Sequence, residues 1–167
     1  MRYAGVIYED TAAAPGLCVS VYLQGCPFHC KGCHNPETWD VDGGMELTRE
    51  TIDRIMEKIN AYGVKHSLCI LGGEPLAPFN LTATFFLLKE YSEKYPGSTA
   101  YVWTGYTFDE LSDITKQMLY DNNVILIDGR FDIEHRDVTL KMRGSPNQRI
   151  IDVKRSMDEN KIILFNE

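Results

Sequence analysis

No stretch of the 167-residue chain approaches the roughly 18 consecutive apolar residues that a membrane helix needs, so no bilayer span is expected. The opening "MRYAGVIYEDTAAAPG" lacks the uninterrupted apolar core of a secretory signal, and the expected location is the cytoplasm. Positive charge is in deficit. Seventeen Lys and Arg against 24 Asp and Glu give a formal charge of -7, which repels a phosphate backbone, so no nucleic-acid partner is expected. Cysteine is scarce and odd in number, five in all, which in a reducing compartment argues against a disulfide framework. Internal repeats, low-complexity tracts and Pro/Ser linkers are absent, and the length suits one domain spanning 1–167.

What is present is an alternation of strand and helix signals. "LCVSVYLQG" (17–25), "SLCIL" (67–71), "TAYVWTG" (99–105) and "NVILID" (123–128) read as strands. Between them, Thr48 caps a helix with Ile52, Ile55, Met56 and Ile59 at helical spacing. "NLTATFFLLKEYSEKYPG" reads as a second helix closed by Pro96-Gly97, and "TFDELSDITKQMLYD" as a third, capped by Thr107 or Asp109. This order predicts an α/β fold with a mainly parallel sheet, its functional groups gathered at the carboxyl ends of the strands. The charged stretch 129–152 reads as loop with short extended pieces. A short helix over 152–160 and a final strand "KIILF" complete the chain. At this length an eight-fold barrel of roughly 250 residues does not fit, and a partial, open (βα) barrel does.

Three of the five cysteines, Cys26, Cys30 and Cys33, lie within eight positions as C-x3-C-x2-C, after the first predicted strand. Gly25, Pro27 and Gly32 allow the chain to wrap there, and thiolates select soft or borderline metals. Two readings stand. A cubane 4Fe-4S cluster held by three cysteines keeps one iron open, as a catalytic metal site does; a structural Cys3His zinc site would be closed by His29 or His34. Cys18 and Cys69 sit in apolar strands and are expected to be small buried core residues. At the end of the second predicted strand, Gly72-Gly73-Glu74-Pro75 combines permissive backbone with an acceptor for a cation; alone it signals no more than a turn.

Taken together, the C-x3-C-x2-C loop and the GGEP stretch resemble the radical S-adenosylmethionine superfamily. "CKGCHNPETW", "VWTGYTFDEL" and "RGSPNQRIID" are similar to the glycyl-radical enzyme activases that act on anaerobic ribonucleoside-triphosphate reductase. The resemblance implies a 4Fe-4S cluster on Cys26, Cys30 and Cys33. It implies S-adenosylmethionine bound at the open iron, its amino group met by Gly72, Gly73 and Glu74, and reductive cleavage to methionine and a 5'-deoxyadenosyl radical. The protein substrate would be the reductase, which receives a glycyl radical, and an activase of formate C-acetyltransferase type is the close rival. A zinc-stabilised binding module is the reading from another class. Since no second cysteine cluster is present, the electron would come from an external donor such as flavodoxin or ferredoxin. The oligomeric state stays open, a homodimer included.

Further expectations attach to single residues. Backbone N–H groups of Gly32 and His34, beside Cys33, are expected to face cluster or adenine. Thr104 and Asp128, at strand ends, are expected to help hold the ribose or the methionine carboxylate through a water or a neighbouring base. The loop with Arg143, Asn147, Gln148 and Arg149 is expected to meet that carboxylate or the reductase. His66 and His135 are expected at the surface.

Overall fold

The computed structural model describes residues 1–165. Seven strands form one sheet: β1 (Arg2–Asp10), β2 (Cys18–Leu23), β3 (Met45–Glu46), β4 (Ser67–Gly72), β5 (Ala100–Trp103), β6 (Val124–Asp128) and β7 (Arg149–Asp152), in the spatial order β3-β1-β2-β4-β5-β6-β7. β2, β4, β5 and β6 pair in parallel, with Leu23 opposite Gly72 and Trp103 opposite Ile127. β1 and β3 on one side and β7 on the other are antiparallel additions. Among the described residues no pairing joins β3 to β7, so the sheet stays open.

The period of two along each strand decides which face a side chain takes. Val19, Val21 and Leu23, Leu68 and Ile70, Ala100 and Val102, Val124 and Leu126 pack into the principal core. They meet α1 (Arg49–Lys58), α2 (Leu81–Lys94), α3 (Asp113–Asp121) and α4 (Val153–Asp158) through Ile52, Ile55, Leu87, Leu88, Leu119 and Val153. The alternate residues Cys18, Cys69, Tyr101, Ile125 and Ile127 form a smaller cluster on the opposite face. One face of the sheet therefore carries the helices and the other is left for loops and a site. Cys18 and Cys69 are fully buried, as expected.

Local chemistry explains the element boundaries and the departures from the sequence reading. Thr48 caps α1, accepting from the Thr51 N–H at 3.3 Å. The third predicted helix divides: Thr107 and Glu110 form a capping box around a 3-10 turn (Phe108–Glu110), Leu111 is extended, and Ser112 caps α3. β1 was not anticipated, because its residues are half-buried with no clean alternation and its register to β2 shifts twice. The final strand reduces to one bridge, Leu164 to Ile151. His66 is buried rather than exposed: its Nδ1 lies 2.8 Å from the Val64 carbonyl oxygen, closing the turn between α1 and β4. No helix among the described residues is long and apolar enough to cross a membrane.

Candidate functional site

β2 delivers the chain into the cysteine loop, and main-chain bonds fasten the loop's two ends together. Gly25 N–H donates to Thr38 O (2.7 Å), Cys26 N–H to Trp39 O (3.1 Å), and the Gln24 amide donates to Glu37 O and Asp40 O. Within the loop, Cys33 N–H donates to Cys30 O, and Asn35 N–H reaches Cys33 Sγ at 3.4 Å. The three cysteines, together with Gly72, Gly73, Glu74 and Thr104, line a cavity of about 140 Å³. Cys33, His34, Gly72 and Arg143 lie on a second, larger cavity of about 540 Å³ on the helix-free face; Cys33 and Gly72 are shared by both.

Burial pushes the Cys26 and Cys30 thiols up. Against burial, backbone N–H groups of Phe28 and His29 favour the Cys26 thiolate. For Cys30, whose thiol Cys33 pushes further up, the Phe131 N–H and the charge of Arg130 act in favour of the thiolate. Such donors and charges stabilise ligated sulfur and tune its potential. Trp39 also lines the smaller cavity, and its buried Nε1 has no hydrogen-bond partner among the described residues.

The GGEP stretch is a junction between strand ends. Gly73 N–H donates to Leu23 O, Glu74 N–H to Gly25 O, and a Cβ on Gly73 would collide with that same carbonyl. The Glu74 side chain, 1 % exposed, accepts from Leu76 N–H (2.9 Å) and Thr104 Oγ1 (2.6 Å) on one oxygen and from Gly105 N–H (2.7 Å) on the other. Burial pushes it up to about 7 while these three donors pull it down. Asn80 Nδ2 donates to Gln24 O and Glu74 O, locking the junction from α2's side.

The structure brings Cys26, Cys30, Cys33, Gly72, Gly73, Glu74 and Thr104 together and places His34 on the larger cavity. Gly32 lines neither cavity; it takes φ +73° and its α-carbon packs against Ile133, where a Cβ would stand 2.7 Å from Cδ1. Asp128 also lines neither. It is wholly buried, one oxygen accepting from Arg149 Nε (3.0 Å), the other from Arg149 Nη2 (2.5 Å) and Phe108 N–H (2.7 Å). The neighbouring base through which Asp128 was expected to act is Arg149, which also lines neither cavity, and the pair ties β6 to β7.

The "RGSPNQR" stretch is braced by its own hydrogen bonds, and Gln148 lines both cavities. Gln148 bonds Gly144 N–H and Gly129 O, and Asn147 bonds Arg130 O; Arg143 gives one donor to Gln148 O and lines the larger cavity. His29 stacks on Trp39 and lines neither cavity, whereas His34 lines the larger one. Neither of the two histidines, one of which a Cys3His site would need, lines the cavity that all three cysteines share. Among the described residues no three His, Cys, Asp or Glu side chains gather as one metal ion would require.

Arg130 was missed by sequence reading. Its guanidinium stands 4.3 Å over the Phe28 ring and borders the smaller cavity. Its position just past the end of a parallel strand was the signal that could have found it. Trp39, Trp103 and Phe131 were also missed, since their place on the walls depends on loops closing over one another.

A family model described as "4Fe-4S single cluster domain" matches residues 12–151. The anaerobic ribonucleoside-triphosphate reductase-activating protein of Vibrio cholerae is 36% identical over 151 residues, 90% of this chain and 97% of that protein. The protein of that name from Escherichia coli K12 is 34% identical over 89% of this chain and 96% of its own length. The one from Enterobacteria phage T4 is 29% identical over 90% and 93%.

Proposed function

Because the chain belongs to the family of anaerobic ribonucleoside-triphosphate reductase-activating proteins, with a 4Fe-4S single cluster domain, we propose that it installs a glycyl radical on such a reductase by reductive cleavage of S-adenosylmethionine. The observation that carries this is the single cavity onto which three thiols and the Gly72–Gly73–Glu74 junction converge, joined through Cys33 to a larger cavity.

The donor set fits the implied cluster. Cys26, Cys30 and Cys33 would hold it, with backbone N–H groups aimed at the sulfurs, and the partnerless Trp39 N–H would find an acceptor in a group filling the cavity. When bound, a 4Fe-4S cluster supplies the single electron that splits the sulfonium into methionine and a 5'-deoxyadenosyl radical.

The chain's own residues bind and orient. Gly72 and Gly73 let the backbone approach the methionine moiety closely, and Glu74 Oε2 keeps acceptor capacity beyond its bond to Gly105 for an ammonium group. Thr104 acts by fixing Glu74, and His34 by bordering the adenosine side. Arg130 and Arg143, one on each cavity, supply cations for carboxylates. The larger cavity, on the helix-free face, is the place for the glycine-bearing segment of the reductase.

The test is to mix the reconstituted, reduced protein with S-adenosylmethionine and purified anaerobic ribonucleoside-triphosphate reductase under argon and record the electron paramagnetic resonance spectrum. A glycyl doublet that needs all three components is expected. A doublet obtained only with formate C-acetyltransferase, or none with an iron-loaded protein, overturns the proposal.

A further inference from the structure

The three cysteines do not face the same surroundings. Cys33 is on the walls of both cavities, whereas Cys26 and Cys30 border only the smaller one, as does Trp39. Beyond Trp39 stands His29, its ring stacked on the indole at 4.7 Å between centroids and 18° between planes. His29 is exposed and lines neither cavity.

Three further observations single out this pair. His29 lies inside the cysteine loop, three positions after Cys26 and next to Cys30, and is open to solvent. His29 holds φ +46°, a left-handed conformation uncommon for a residue with a side chain, and such backbone is retained where placement matters. Trp39 Nε1 is buried without a partner, and a buried donor of that kind calls for an acceptor beside it.

We propose that the stacked His29–Trp39 pair is the path by which an electron enters the cysteine-lined cavity, and that His29 is where a soluble one-electron donor protein makes contact. This rests on the cluster reading above. The chain has one cysteine cluster, so the electron arrives from outside. The larger cavity is taken by S-adenosylmethionine and the polypeptide substrate, so the donor needs another approach. Two rings in van der Waals contact give continuous electronic coupling where solvent would interrupt it. Val41 and Phe79, 47 % and 46 % exposed, pack together over Gly25 at the root of the same loop and offer apolar area to a protein surface. In the step itself a donor such as an anionic flavin hydroquinone loses one electron and becomes the neutral semiquinone. The cluster gains that electron, and no bond or proton is transferred.

The probe is reduced flavodoxin, mixed in a stopped-flow cell with the iron-loaded protein, and the readout is bleaching of the cluster absorbance. Dithionite, small enough to enter through the larger cavity, is the control. His29→Asn removes the ring and keeps a residue tolerant of positive φ. It is expected to slow reduction by flavodoxin at least tenfold, with iron content and the dithionite rate as in the wild type. Trp39→Phe, which keeps a ring, should fall between. An unchanged flavodoxin rate in His29→Asn overturns the proposal. So does equal slowing with dithionite or loss of iron, which would assign the pair to holding the cluster. A wild-type protein without cluster iron would refute the cluster reading instead.

Discussion

Thr104 Oγ1 donates to Glu74 Oε1 at 2.6 Å, joining the ends of β4 and β5 beneath the cysteine loop. For the proposed role of meeting an ammonium group, a buried carboxylate must be held still and kept acceptor-ready, and this hydroxyl fixes it in place. Thr104→Val keeps the shape and deletes the donor. It should destabilise the fold by about 1–3 kcal/mol in urea denaturation, while Thr104→Ser retains most of that. S-adenosylmethionine binding should weaken in Val and not in Ser.

Asp128→Asn removes the charge opposite Arg149. Breaking a buried ion pair from one side costs about 3–5 kcal/mol, and the one-third exposure of Arg149 lowers that to roughly 2–4 kcal/mol. Thermal denaturation should show the loss. Calorimetric binding of S-adenosylmethionine to the still-folded variant should be unchanged, since Asp128 lines neither cavity.

Anaerobic iron analysis should find about four irons per wild-type chain. Cys26→Ala, Cys30→Ala or Cys33→Ala should each lose most of them. Cys18→Ala and Cys69→Ala, both buried in the second core cluster, should keep them. One zinc per chain in the wild type would refute the assignment.

Gly73→Ala drives a methyl group into the Gly25 carbonyl, a backbone atom that cannot swing away. The cysteine loop must then shift. Iron content should fall although no ligand is altered, and Gly5→Ala, whose surroundings are open, should leave it intact.

The exposed pair His135 and Asp132, 2.7 Å apart, gives a pH test away from the cysteines. The hydrogen bond to Asp132 raises His135, and the same bond lowers Asp132. For His135 the stabilisation is fully present below its unfolded value near 6.5 and fades as pH rises through the raised folded value. For Asp132 it is present above the ordinary aspartate value and fades as pH falls through the lowered one. Titration followed by nuclear magnetic resonance should place His135 above 6.5, and Asp132→Asn should return it toward that value.

Much of the frame was legible in the chain. The apolar strands at 17–25, 67–71 and 123–128 and the Thr48 cap rest on short-range sterics and a two- or 3.6-residue period, which act within a few neighbours. β1 and the split of the third helix were not, because β1 is defined by its pairing with β2, and Leu111 turns extended between two competing caps. His66 misled for a similar reason: its sequence neighbours are polar, yet two carbonyls of the preceding turn take its ring inside.

By itself the sequence determined which thiols could share a centre and that a glycine pair and a carboxylate stand at a neighbouring strand end, since these depend on spacing and strand order alone. The tertiary structure decided what each polar group meets. Glu74 finds Thr104 across 30 residues and Asp128 finds Arg149 across 21, so the base beside Asp128 is an arginine that braces β6 against β7. Whether a buried oxygen is free for a ligand depends on the donors that loop closure brings to it, and spacing along the chain does not encode that.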